Sequence, residues 1–152
     1  MISAIKKLFG SSAPRLRPGQ AGYKPGVILF VDDEPDVRSI ARQALEPAGY
    51  EMIDAADGQK ALELFYENQE RIGLVITDVL MPKLDGLALA NRLHKEDADL
   101  PILLLSGHVL EEDLWAPGNA RMRYLMKPYR LPDLEAAVID LIGPGGSSST
   151  KE

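Results

Sequence analysis

Three runs of apolar residues stand out along the chain: VILFV (27–31), LVIT (74–77) and ILLLS (102–106). None alternates with polar residues, so each reads as a strand buried on both faces. YEMID (50–54) and RYLMK (123–127) read as two weaker strands. Between them the apolar spacing changes to three and four. Val37, Ile40, Ala41, Ala44, Leu45 and Ala48 form one face of a helix that opens at Pro35 and ends at Gly49. Asp57 can cap a helix carrying Ala61, Leu62, Leu64 and Phe65, and Gly86, Leu89, Ala90 and Leu93 give the next face. A fourth, short helix over 109–116 is cut off by Pro117-Gly118. Leu131, Leu134, Val138 and Leu141 give the last helix, with Pro132 near its start. Strands alternating with helices in this way predict an α/β fold: a parallel sheet with right-handed crossovers, covered by helices on both faces.

The flanks carry no such pattern. SSAPRLRPGQAGYKPG (11–26) and GPGGSSSTKE (143–152) are rich in Pro, Gly and Ser and read as flexible segments. The expected organisation is a basic, flexible arm (1–26), one folded domain (27–142) and a flexible tail (143–152). Charge sharpens that division. Residues 1–26 hold Lys6, Lys7, Arg15, Arg17 and Lys24 and no acid, which is +5. Residues 27–142 hold 11 basic and 22 acidic side chains, which is −11. Lys151 and Glu152 cancel, giving the net −6. An acidic body argues against a nucleic-acid partner, because phosphate contacts need clustered Lys and Arg. The absence of cysteine removes disulfides and thiolate metal sites. No apolar run approaches the roughly 20 residues of a bilayer span, and MISAIKKLFG lacks the apolar core of a secretory signal, so a cytoplasmic protein is expected. ISAIKKLF could touch an anionic membrane as a short amphipathic turn, but a disordered tail is the preferred reading.

The chemistry lies where the strands end. In open parallel sheets, ligands bind outside the carboxyl ends of the strands. There VILFV runs into Asp32-Asp33-Glu34, LVIT into Asp78, ILLLS into Ser106, and the fifth strand into Lys127-Pro128. Carboxylates converging from two strands repel one another and call for a positive partner. An oxygen-only donor set suits a hard divalent cation, above all Mg2+. Lys127 offers a second positive charge and Ser106 a hydroxyl donor. The set fits phosphoryl transfer to a carboxylate. Each piece alone has a plainer reading. Asp32-Asp33 could cap a helix, Lys127-Pro128 could be a solvated loop, and Ser106 a strand-end hydroxyl. Tyr124 alone would be a core aromatic, and His94 reads as surface. His108 could be a surface residue or a modulator of the site. Asp85-Gly86 reads as an N-cap followed by a small packing residue. Trp115, the single tryptophan, could pack on the last helix or contact a partner.

Taken together, VDDE (31–34), TDVLMPKLDG (77–86), LLSG (104–107) and YLMKP (124–128) resemble the receiver domain of two-component response regulators, over about Val27 to Ile142. The resemblance implies a flavodoxin-like (βα)5 three-layer sandwich with strand order 2-1-3-4-5. Asp78 would accept a phosphoryl group from the phosphohistidine of a sensor histidine kinase or a histidine phosphotransfer protein. Asp33 would bind Mg2+ directly, Asp32 directly or through water, Asp78 as well, and Leu80 through its backbone carbonyl. Lys127 would pair with the phosphoryl oxygens, Ser106 would report their arrival, and Tyr124 would be the switching aromatic. Pro128 matches a proline often joined through a cis bond. Leu80 and His108 occupy positions that tune dephosphorylation in such proteins. The Pro-Gly break at 117–118 departs from the family pattern and bears on the output face of the fourth helix, fifth strand and fifth helix.

The expected function is therefore a stand-alone, phosphorylation-switched signalling module and not an enzyme with separate turnover. It would act on a downstream protein, as a monomer or a phosphorylation-dependent dimer. A Mg2+-dependent phosphohydrolase working through an aspartyl-phosphate, and a phosphorylation-independent scaffold, are the alternatives.

Overall fold

A computed structural model describes residues 15–81, 83–108 and 121–146. The three continuous apolar runs become the middle of the sheet. Strands β1 (Val27–Val31), β2 (Glu51–Ala55), β3 (Ile72–Asp78), β4 (Ile102–Ser106) and β5 (Met122–Met126) pair in parallel in the order β2-β1-β3-β4-β5. Every residue of β1 and β4 is buried, as expected for strands covered on both faces. Helices α1 (Pro35–Leu45), α2 (Gly58–Glu67), α3 (Gly86–Glu96) and α4 (Leu131–Ile142) cover it. This is the flavodoxin-like three-layer sandwich. The expected helix over 109–116, and with it Trp115, lies outside the described residues.

Strand alternation splits the core in two. Ile28, Phe30, Leu74, Ile76, Leu103 and Leu105 meet Ala41 and Leu45 of α1 and Leu134 and Val138 of α4. Leu29, Val31, Val75, Ile102 and Leu104 meet α2 and α3 on the other side through Leu62, Phe65, Leu89 and Leu93. Phe30, fully buried at the centre of the first cluster, is the most telling position to truncate. Phe30→Ala should lower unfolding free energy by about 3–5 kcal/mol, read from urea denaturation. A loss below about 1 kcal/mol would mean that this cluster does not hold the domain together.

Some boundaries move, each for a local reason. α1 ends at Leu45 and not at Gly49, because Pro47 brings no N–H and crowds the preceding turn. β2 begins one residue later than expected. The Tyr50 N–H bonds back to the Leu45 carbonyl, and its hydroxyl donates to the Gly143 carbonyl at 2.6 Å. β3 is longer at both ends, and β5 stops at Met126, which releases Lys127 from the strand. Asp57 and Asp85 cap α2 and α3 with their carboxylates, as expected.

Of the arm over 1–26, residues 15–26 are described, and they lie against the domain. Arg15 pairs with Asp97 and donates to the Ile72 carbonyl, Arg17 pairs with Asp99, and the Tyr23 hydroxyl donates to the Ile142 carbonyl. These contacts gather at the amino ends of the strands, opposite the edge that carries Asp32 and Asp78. Among the described residues, no helix is long and apolar enough to cross a membrane.

Candidate functional site

The site is built by strand ends. β1 delivers Asp32 and Asp33 just past Val31, β3 ends on Asp78, β4 ends on Ser106, and Lys127 follows β5. Because the strands are parallel and in register, these groups share one edge. One oxygen each from Asp32, Asp33 and Asp78 lie within 4.8 Å of one another. The Lys127 ammonium is 3.2 Å from Asp78 Oδ2 and 3.8 Å from Asp32 Oδ2. Three carboxylates against one ammonium leave the cluster net negative.

The three acids differ in setting. Asp32 is buried at 1% exposure, Asp78 is partly buried and Asp33 is exposed. The Asp32 backbone N–H donates to the Ala55 carbonyl, and its Oδ1 accepts the Glu34 N–H at 2.9 Å. Its Oδ2 is buried without a hydrogen-bond partner. Burial therefore raises the Asp32 pKa above its ordinary value, with Asp78 and Asp33 adding to the rise and the Glu34 N–H and Lys127 opposing it. A buried carboxylate with one oxygen lacking a hydrogen bond, clustered with two more carboxylates, fits a small hard cation with oxygen ligands. The donor set and the net charge agree with that fit.

The loop after β3 is held by close backbone approach. A side chain at Gly86 would run into the Asp78 carbonyl, and one at Gly58 into the Leu84 carbonyl. Gly86 therefore does the packing expected of a small residue behind the Asp85 cap. The Thr77 hydroxyl donates to the Asp78 carbonyl at 3.0 Å. Leu80 is 66% exposed, leaving an apolar side chain at the position two beyond Asp78.

Ser106 is buried at the expected edge, but its hydroxyl is engaged in its own turn. It donates to the His108 carbonyl at 2.7 Å and accepts the His108 N–H at 3.0 Å. His108 itself is exposed. Tyr124 is half-buried against the α2/α3 side of the core. The Lys127-Pro128 bond is cis. His94 is half-buried rather than on the surface, with Nε2 3.0 Å from the Leu100 carbonyl.

Two neighbours of the site were not singled out from sequence. Tyr129 lines, with Glu34, Val37, Ile40, Lys127, Pro128 and Leu131, an open cleft of about 630 Å3 beside Lys127. Burial raises the Tyr129 pKa, with the Asp32 and Asp78 carboxylates contributing. Its signal was adjacency to Lys127-Pro128. Arg38 bonds the Asp32 carbonyl through Nη1 at 2.8 Å and Asp54 through Nε at 2.8 Å. Its signal was a pair of arginines one helical turn apart, Arg38 and Arg42, beside an acid in an otherwise weak strand.

The sequence pattern of the response regulator receiver domain matches residues 28–139. The chain is 40% identical over 117 residues to the probable transcriptional regulator ycf27 of Cyanophora paradoxa, covering 76% of this chain and 47% of that protein. It thus spans about half the length of the ycf27 relatives it matches. It is 38% identical over 110 residues to the response regulator receiver protein CpdR of Brucella abortus, covering 70% of this chain and 88% of that one. Among solved structures, the response regulator protein TrrA of Thermotoga maritima, in complex with Mg2+ and BeF, aligns with a TM-score of 0.66 at 30% identity. That match covers 77% of this chain and 99% of that chain.

Proposed function

The chain belongs to the response regulator receiver domain family of two-component signalling, and from that premise we propose that it is a phosphorylation-switched module with Asp78 as phosphoacceptor. The observation that carries the reading is the cluster itself: three carboxylates within 4.8 Å, one of them with an orphaned buried oxygen, and an ammonium 3.2 Å from Asp78. An Asp78 oxygen attacks the phosphorus of a phosphohistidine on a sensor kinase or phosphotransfer protein. The new O–P bond replaces the P–N bond, and the departing imidazole keeps its electron pair and takes up a proton. Asp32, Asp33 and Asp78, with the Leu80 carbonyl, would hold Mg2+, which supplies positive charge for the phosphoryl oxygens. Lys127, already aimed at Asp78, pairs with one of those oxygens. The apolar lining of the cleft beside Lys127 supports delivery of the phosphoryl group by a protein.

Signalling follows from the change at the end of β3, where a carboxylate of charge −1 gives way to an acyl phosphate of about −1.5 to −2 that carries more acceptor oxygens. The Ser106 hydroxyl leaves the His108 carbonyl for a phosphoryl oxygen, and Tyr124 turns into the space beside it. That shift reaches the surface around β5 and α4, where a downstream protein reads it. Leu80 brings no polar group to orient a water, so with His108 it sets how long the phosphoryl group lasts. A cytoplasmic setting and a monomer, or a dimer formed on phosphorylation, complete the proposal.

The test is intact mass after incubation with acetyl phosphate. We expect one added phosphoryl group with Mg2+, none with EDTA, and a strongly reduced yield in Lys127→Ala. Labelling that persists in EDTA would refute the role given to the acids.

A further inference from the structure

Asp32 is fixed on three sides before any cation arrives. Its N–H is held by the Ala55 carbonyl, its Oδ1 by the Glu34 N–H, and its own carbonyl by Arg38 Nη1 at 2.8 Å. Only Oδ2 has no hydrogen bond, and it lies 3.8 Å from the Lys127 ammonium. The third of these holds differs from the others because it comes from a side chain that is itself tied elsewhere. Arg38 Nε sits 2.8 Å from Asp54 Oδ2, and Asp54 Oδ1 takes Arg42 Nη2 at 3.0 Å. Arg42 in turn donates to the Met52 carbonyl and to Glu46. A continuous path thus runs from the edge strand β2, through two guanidinium groups on α1, to the backbone of the turn that carries Asp32 and Asp33.

We propose that Arg38 is a positioning residue for the cation site: bridging Asp54 and the Asp32 carbonyl, it fixes the β1–α1 turn so that the Asp32 and Asp33 carboxylates stay directed at Asp78. The inference rests on the cation-binding reading above. Only a guanidinium does this, because its planar fork presents Nε and Nη1 to two acceptors at once, whereas a lysine ammonium is a single point charge. Groups that orient metal ligands from behind commonly change metal affinity by about 10–100-fold when removed.

Charge alone predicts something different. Arg38 is a cation near a cation site, so deleting it for its charge would tighten Mg2+ binding. Deleting the Asp54 carboxylate would weaken it. Positioning predicts that both deletions weaken binding.

Mg2+ affinity, measured by calorimetry and by the Mg2+-dependent rise in melting temperature, should fall about tenfold in Arg38→Lys, Arg38→Ala and Asp54→Ala. Arg38→Ala combined with Asp54→Ala should be no worse than Arg38→Ala alone, because both act along one path. The rate of labelling by acetyl phosphate should return to near the wild-type value at saturating Mg2+. Wild-type Mg2+ affinity in Arg38→Lys, or tighter binding in Arg38→Ala, would overturn the proposal. Melting in EDTA checks that each variant is folded, and Arg38→Lys carries the test if Arg38→Ala is not. A wild-type protein that binds no Mg2+, or an Asp33→Asn variant that binds it normally, would instead refute the cation site itself and take this inference with it.

Discussion

Asp78→Asn abolishes phosphoryl uptake, even with saturating acetyl phosphate and Mg2+. The substitution keeps shape and volume and removes the nucleophile, since an amide oxygen beside an ammonium has little tendency to attack phosphorus. The fold should tolerate it. Asp78 is the last residue of β3, only its backbone carbonyl approaches Gly86, and its backbone is held by the sheet and by Thr77. Intact mass and a denaturation curve on the same sample separate the two effects. Labelling falls to zero while unfolding free energy changes by less than about 1 kcal/mol. Asp33→Asn should behave differently. It leaves the nucleophile in place, so labelling survives at a reduced rate and responds to higher Mg2+. Equal labelling of Asp78→Asn and wild type would move the acceptor elsewhere and remove the basis for the proposed switch.

The strands and the edge were legible because one physical signal, an unbroken apolar run stopping at a polar group, marks both. VILFV, LVIT and ILLLS gave three buried strands, the residues just beyond the first two gave Asp32, Asp33 and Asp78, and the last residue of the third gave Ser106. What escaped was whatever depends on contacts distant in sequence. Arg38 reaches Asp54 across a helix and a strand, and the Arg38/Arg42 spacing in VRSIAR marks a basic face without naming Asp54 or the Asp32 carbonyl as its partners. His94 looked like surface because its neighbours are charged, yet its ring turns inward to the Leu100 carbonyl. The Pro/Gly-rich stretch before β1 read as a linker on composition alone. Composition does not register that Arg15, Arg17 and Tyr23 each find a partner on the domain. The end of α1 departs from the apolar spacing for a simpler reason: Ala48 continues the helical period, but Pro47 stops the helix at Leu45.

Asp32→Asn should make the cation-free protein more stable at neutral pH while destroying its response to Mg2+. The ionised Asp32 carboxylate is buried, faces two other carboxylates, and has one oxygen with no hydrogen bond. An asparagine amide in the same place removes a charge and supplies N–H groups that Asp78 or Asp33 can accept. Relief of a buried, unsatisfied group is worth about 1–3 kcal/mol. The pH dependence fixes the sign. Burial raises the folded-state pKa of Asp32 above its unfolded value, so the folded protein holds that proton more tightly. Its contribution to stability is full below the unfolded value and is lost as pH rises through the raised folded pKa. Asp57 and Asp133 act in the opposite sense. Their pKa values are lowered by backbone N–H bonds from Lys60 and Arg130, so what they contribute is lost as pH falls. The total curve mixes these effects, and only the difference between wild type and Asp32→Asn isolates one group. In EDTA, that difference should be small in acid and grow in favour of the variant as pH rises toward neutrality. Adding Mg2+ should then raise the stability of wild type and leave the variant nearly unmoved. A variant that is less stable than wild type at neutral pH in EDTA would mean that the Asp32 carboxylate is already satisfied without a cation. The same residue therefore costs stability and confers function: a buried carboxylate that the Glu34 N–H and the Lys127 ammonium only partly offset favours the binding of a cation.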